Sequence, residues 1–308
     1  MITSLPVVQL LAIVSVIGRG TASVVRRDAT RRLADIKCKE YSELAKSTYI
    51  YCSPDDWETL DFPHQATLGR KQLNYPYKFV VGCGGSLISD RFVLTAAHCV
   101  IVANTDAPNV VRLGAVDHED TVCNCEADFS IERSIIHPNY TSIRSYHDIA
   151  LVKLNETVEF TLNYRPACLW TSMNLSFTSV FATGFGATED AGNPSNVLNM
   201  VELNIMQNDV CVKQFARNRK QFPKGIIGEQ LCIGALEKGD TCSGDSGGPA
   251  QVIRQKRGCL WYVVGVTSTG CSCGKKNTPA IYTRVASYID WIEQEVWGNE
   301  TNVLKTNR

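Results

Sequence analysis

Apolar positions along this chain fall into three regimes. The first is one mostly apolar run, Leu5 to Ile17, of signal-peptide length and too short to cross a bilayer. The second is a charged stretch, Val24 to Glu43, which carries Arg26-Arg27 and Arg31-Arg32 and too little apolar content for a core of its own. The third begins at about Phe62. Short runs rich in β-branched and aromatic residues recur there between Gly, Pro and Asn clusters. Examples are Phe79-Val80-Val81, Phe92-Val93-Leu94, Ile149-Ala150-Leu151-Val152 and Trp261-Tyr262-Val263-Val264. That pattern predicts an all-β barrel or sandwich. The period changes only near the end, where Tyr288, Ile289, Ile292 and Val296 predict a helix over Ala286 to Val296.

Composition narrows the class. With 31 basic and 31 acidic side chains the net charge is zero, so nucleic acid is not an expected partner. Thirteen cysteines favour an oxidising compartment, and Gly20-Thr21-Ala22 supplies small residues for signal cleavage before Ser23. Sequons at Asn139, Asn155, Asn174 and Asn299 agree with passage through the secretory pathway. The expectation is a secreted, glycosylated protein with no membrane partner. It divides into a signal peptide at 1–22, a short pro-segment or linker at 23–60, one large domain at 61–298 and a tail at 299–308.

The candidate chemistry lies in three segments. In Thr241-Cys242-Ser243-Gly244-Asp245-Ser246-Gly247-Gly248-Pro249, a serine among glycines can turn its hydroxyl outward while backbone N–H groups converge on one point, as an oxyanion hole requires. Leu94-Thr95-Ala96-Ala97-His98-Cys99 offers a base for that serine, since imidazole can take and return a proton near neutral pH. His147-Asp148-Ile149-Ala150-Leu151 offers an aspartate to orient the imidazole. Singly, each has an ordinary structural explanation, as a satisfied histidine, a strand-end aspartate or a glycine turn. Together, in the order His98, Asp148, Ser246, they resemble the chymotrypsin/trypsin family of serine proteases. Phe62-Pro63-His64-Gln65, Cys83-Gly84-Gly85-Ser86-Leu87 and Tyr282-Thr283-Arg284-Val285 look most like the catalytic domains of arthropod extracellular, clip-type proteases. With only Cys38 and Cys52 between residues 23 and 60, no clip domain is expected.

The resemblance implies two packed six-stranded antiparallel β-barrels with a C-terminal helix, so that 61–298 is a trypsin-like domain. It implies a catalytic triad of His98, Asp148 and Ser246, with the oxyanion held by the N–H groups of Gly244 and Ser246. Asp240, six positions before the nucleophile, would sit at the base of the substrate pocket and favour Arg or Lys. Ser268, Gly270 and Ala280 would line that pocket. Thr269 stands where the family usually has Trp, and Ala280 where it commonly has Gly, an added methyl whose effect is about 1–3 kcal/mol. The implied disulfides are Cys83–Cys99, Cys211–Cys232 and Cys242–Cys273. Cys168 matches the cysteine that tethers a pro-segment, with Cys38 the first candidate partner and Cys52 the alternative. The pairing of Cys123, Cys125, Cys259 and Cys271 does not follow from sequence, and an odd total leaves one thiol free or joined to another chain. A zinc site on Cys123-Asn124-Cys125 is disfavoured by its tight spacing and the lack of a following histidine pair, so no metal or cofactor is expected.

One family feature is missing. Family zymogens are usually cut after Arg or Lys, just before Ile-Val-Gly-Gly, and the new amino group pairs with the Asp preceding the nucleophile, here Asp245. Counting back from Phe62 puts that site near Tyr49-Ile50-Tyr51-Cys52-Ser53, which has neither the basic residue nor the glycines. The expectation is therefore a secreted endopeptidase that cuts protein substrates after Arg or Lys, with serpins as regulators by family analogy. The alternative is a non-activated homologue acting as a binding or regulatory protein.

Overall fold

The computed structural model describes residues 32–48, 52, 62–72, 75–101, 107–115, 117–118, 127–187, 192–235, 245–270 and 278–306, with the backbone alone at 72, 75–78 and 299–306. Six strands close the first barrel. They are β1 (Gln65–Gln72), β2 (Tyr75–Leu87), β3 (Phe92–Thr95), β4 (Val110–Leu113), β5 (Ala127–Ile136) and β6 (Ala150–Leu154). Around the ring the order is β1-β2-β3-β6-β5-β4, every pair antiparallel, and β4 returns to β1. The interior is filled by Leu68, Leu87, Val93, Val111, Val152 and Leu154. Each such side chain contributes about 1.5–3 kcal/mol on burial.

The second barrel follows. Its strands are β7 (Cys168–Leu169), β8 (Ser179–Gly184), β9 (Asn199–Met206), β10 (Gln230–Gly234), β11 (Pro249–Gln255), β12 (Leu260–Thr269) and β13 (Ala280–Arg284). The ring runs β11-β8-β9-β10-β13-β12 and closes through antiparallel β11–β12 pairing, with β7 added parallel to β12. The fold is thus the pair of six-stranded barrels that the family resemblance implies.

Continuous apolar runs now have a cause. In β3, Val93 points into the first barrel while Phe92 and Leu94 point to the seam between barrels. In β6, Ala150 and Val152 face inward and Leu151 faces the seam. A strand buried on both faces needs apolar side chains at every position rather than at alternate ones. Fully buried Trp261 of β12 sits in the seam, its ring stacked on Phe62 at 5.0 Å. Polar contacts cross the seam as well. Neutral His64 donates from Nε2 to Gln251 Oε1, Gln251 Nε2 donates to Thr183 Oγ1 at 3.0 Å, and Thr183 donates to Gln65 Oε1 at 2.7 Å. Burial is the main cause that drives the His64 pKa down to about 3.

Two helices cover the seam, with a third, α2 (Asn208–Gln214), set before β10. The C-terminal helix α3 spans Ile289–Thr306, beyond the predicted Val296 and into the stretch read as a tail. It buries Ile289, Ile292 and Trp297. The stretch read as a linker contains α1 (Leu33–Lys46), whose buried Ala34, Cys38, Tyr41 and Ala45 form a narrow stripe at helical spacing. Its Ala34 N–H reaches Glu293 of α3 at 2.9 Å, and Tyr41 Oη donates to the Ile88 carbonyl at 3.1 Å. Disulfides join Cys38 to Cys168, Cys52 to Cys259, Cys83 to Cys99 and Cys211 to Cys232. Cys242 and Cys273, like Cys123, Cys125 and Cys271, lie outside the described residues. The end of α1 rests on the β11–β12 turn at Gly258, whose φ of +76° suits glycine and whose added Cβ would run into the Ala45 carbonyl. Gly258→Ala is therefore expected to cost about 1–3 kcal/mol. It should lower the melting temperature and speed amide exchange selectively in α1, read by hydrogen–deuterium exchange.

Candidate active site

His98 sits on a short 3-10 turn, Ala97–Cys99, directly after β3. The Cys83–Cys99 bond ties that turn to β2, and Thr95 Oγ1 donates to the Gly84 carbonyl at 2.8 Å. Asp148 enters just before β6. The residue before it, His147, has a φ of +54°, a left-handed backbone that non-glycine residues seldom adopt. Its ring is held by Tyr288 Oη at 3.0 Å from Nδ1 and by stacking on His137 at 5.3 Å. This kink turns Asp148 inward, to 3% exposure.

The buried carboxylate is well satisfied. Its Oδ1 accepts the His98 backbone N–H at 2.9 Å. Its Oδ2 accepts His98 Nδ1–H at 2.8 Å and the Ser268 hydroxyl at 2.5 Å. With the proton on Nδ1, the lone pair of a neutral His98 is on Nε2. The Asp148 carbonyl also accepts Thr283 Oγ1 at 2.8 Å. Ser268 belongs to β12 and Thr283 to β13, so the second barrel grips an aspartate carried by the first.

Ser246 stands on the turn that precedes β11. Its carbonyl accepts the Gly84 N–H of the first barrel at 2.8 Å, while Gly247 donates to the Thr267 carbonyl of the second at 2.8 Å. Gly247 has a φ of +77°, and an added Cβ would press on Thr95, Gly84 and Cys99. The Ser246 turn is therefore wedged at the seam, against the residue next to His98. Among the described residues no hydrogen bond joins the Ser246 hydroxyl to His98 Nε2. The adjacent Asp245 lies between Gly184 and Gly186, where a Cβ on either would strike its carboxylate, and it accepts the Gly186 N–H at 2.9 Å.

The remaining site residues divide. Asp240 and Gly244 lie outside the described residues. Ser268, read from sequence as a pocket wall, bonds the Asp148 carboxylate. Gly270 faces open space, and Ala280 is fully buried in the second barrel's core. Gly84 and Thr283 were missed, the first legible only as half of a glycine pair and the second as one strand hydroxyl among several. A pocket of about 420 Å³ opens beside His98, lined by Leu68, Arg70, Val81, Gly82 and Pro108 among others. Cys83, His98 and Cys99 cluster closely enough to suggest a metal, but both sulfurs are spent in a disulfide and offer no thiolate.

Fold and site together define a double-barrel protein of the serine protease type. The trypsin family matches residues 55–292, and the chain belongs to that family. It is 39% identical over 287 residues to serine protease snk of Drosophila melanogaster, covering 86% of this chain and 65% of that protein. It is 34% identical to the clotting factor G beta subunit of Tachypleus tridentatus, over 72% of this chain and 73% of the relative. Phenoloxidase-activating factor 1 of Holotrichia diomphalia is 36% identical, over 79% and 68% respectively.

Burial pushes the His98 pKa down, but the hydrogen bond and the charge of Asp148 push it up by more, leaving it above 6.5. The stability this pair contributes is thus present below pH 6.5 and lost as pH rises through the folded value. Asp148→Asn leaves burial unopposed, so the imidazole should then titrate below 6.5. Following the ring protons of His98 by NMR across pH checks both values, and a variant titrating where the parent does would refute this account.

Proposed function

We propose that this chain is a secreted serine endopeptidase that cleaves protein substrates after Arg or Lys. The observation that carries the reading is the buried Asp148 carboxylate, which holds His98 through both its backbone N–H and its Nδ1–H. In this mechanism Ser246 Oγ attacks the scissile carbonyl carbon while its proton passes to His98 Nε2. The backbone N–H groups of Gly244 and Ser246 take the charge that develops on the carbonyl oxygen. As the C–N bond breaks, His98 returns the proton to the leaving amine. Water then attacks the acyl-enzyme with the same base. Asp148 stays ionised throughout, fixing the tautomer and stabilising the imidazolium.

Asp240 would select the cationic side chain, with Gly270 and Ala280 beside it. The pocket next to His98 would receive the leaving segment of the substrate. Relatives named for clotting and for phenoloxidase activation support a protein substrate in an extracellular cascade, with serpins as inhibitors. A second reading, a homologue that never activates, draws on one observation. Cys52, near the expected activation position, is fully buried, joined to Cys259, and donates its N–H to the Lys256 carbonyl at 3.0 Å.

Fluorophosphonate labelling of the secreted protein separates the two. Under the first reading the parent labels, Ser246→Ala does not, and Asp148→Asn slows turnover by about four orders of magnitude. Asp240→Ser should then lose most of the preference for Arg- and Lys-amide substrates. A correctly folded parent that resists labelling, before and after processing, would establish the second.

A further inference from the structure

A basic surface outside the triad lies on two loops, one from each barrel. Arg217, Arg219, Lys220 and Lys224 follow α2 in Arg217-Asn218-Arg219-Lys220-Gln221-Phe222-Pro223-Lys224, and all four are exposed. Arg144, also exposed, lies on the loop that leads into His147 and Asp148. The two loops are joined. Ser145 N–H donates to the Gln221 carbonyl at 3.2 Å, and Tyr146 Oη accepts Lys224 N–H and donates to the Gly225 carbonyl, each at 2.8 Å. Beneath the cations, Phe215 and Phe222 are buried 5.2 Å apart between ring centroids, and the Cys211–Cys232 bond anchors the segment. A flexible hairpin would lose its alignment on binding; this one is held from below.

Among the described residues none of these five cations forms an ion pair. Asp209 is engaged by Lys213 at 3.2 Å, and Glu229 acts on His147 in the opposite sense to Lys224. In a chain of zero net charge, five exposed cations on two joined loops, with no ion pair among the described residues, make a concentrated positive field. The polar side chains between them are turned to each other, Asn218 Nδ2 donating to Gln221 Oε1 at 3.3 Å. What the surface offers is repeated charge without a shaped cleft. A partner that reads it must carry closely repeated anions and need little else.

We infer that this face binds a sulfated polysaccharide, which runs along Arg217, Arg219 and Lys220 and across to Arg144. An acidic protein segment fits less well, because carboxylates on a peptide are spaced by the fold and rely on accompanying hydrogen bonds and apolar contacts.

The test uses the full secreted chain and a heparin oligosaccharide, with affinity measured across a salt series. Binding should weaken steeply with salt. Arg217→Gln/Arg219→Gln/Lys220→Gln should reduce affinity by more than about tenfold and lower the slope of log affinity against log salt by about three. Arg144→Glu, on the other loop, should weaken binding independently, while Lys39→Gln on α1 should not. Equal melting temperatures would show the variants folded. Wild-type and triple-variant curves that coincide would overturn the assignment. So would a poly-glutamate peptide of equal charge that binds as tightly as heparin, which would give the surface to acidic proteins.

Discussion

A carboxylate almost wholly removed from water is the constraint around which the rest of this structure is arranged. An isolated buried charge costs several kcal/mol, so Asp148 is tolerable only where enough donors converge on it. Three do: the backbone N–H and Nδ1–H of His98, and the hydroxyl of Ser268. They come from both barrels, and so does the Thr283 hydroxyl bound to its backbone carbonyl. Separating the barrels would strand the charge. The same bonds that make the carboxylate affordable fix the imidazole's tautomer and its plane.

That constraint reaches outward through the chain neighbours of Asp148. To bring its side chain into the seam the backbone must kink at His147, and a left-handed non-glycine residue persists only where its surroundings over-determine it. Tyr288, just ahead of α3, and His137, just after β5, provide that support. The C-terminal helix is thus more than a cap on apolar surface, since its approach holds the ring whose backbone aims the aspartate. A second polar chain crosses the seam at His64, Gln251, Thr183 and Gln65, and it carries no charge. This second chain of hydrogen bonds is neutral, in contrast to the ionised pair at the site.

Much of this could be read from the residues. Short β-branched runs marked an all-β barrel or sandwich, and the family resemblance carried by the motifs around His98, Asp148 and Ser246 implied the pair of six-stranded barrels. Of the pairings between distant positions, Cys38–Cys168 was the first candidate offered by the family resemblance, and the structure contains it. The partner of Cys52 proved to be Cys259, a contact across 207 residues of chain that no spacing predicts. Helix α1 was hidden for a different reason. Its buried stripe is Ala34, Cys38, Tyr41 and Ala45, too small and too narrow to stand out among charged neighbours. The bond from the Ser268 hydroxyl to the Asp148 carboxylate depends on a rotamer and not on a motif, so the sequence did not announce it.

The two N-terminal disulfides change what the segment before the barrels can be. Cys38 is bonded to β7 and Cys52 to the residue that opens β12, so the segment is held at two points on one side of the second barrel. Between them α1 rests on Gly258, whose carbonyl also accepts Arg165 Nη2 at 2.6 Å. Burial pushes the Arg165 pKa down to about 10, a cost offset by backbone carbonyls rather than by a carboxylate. Asp245 lies elsewhere, beside Gly184 and Gly186 at the end of β8. A segment anchored this way stays with the body of the protein after a backbone cut, because two covalent links must also break before it can leave.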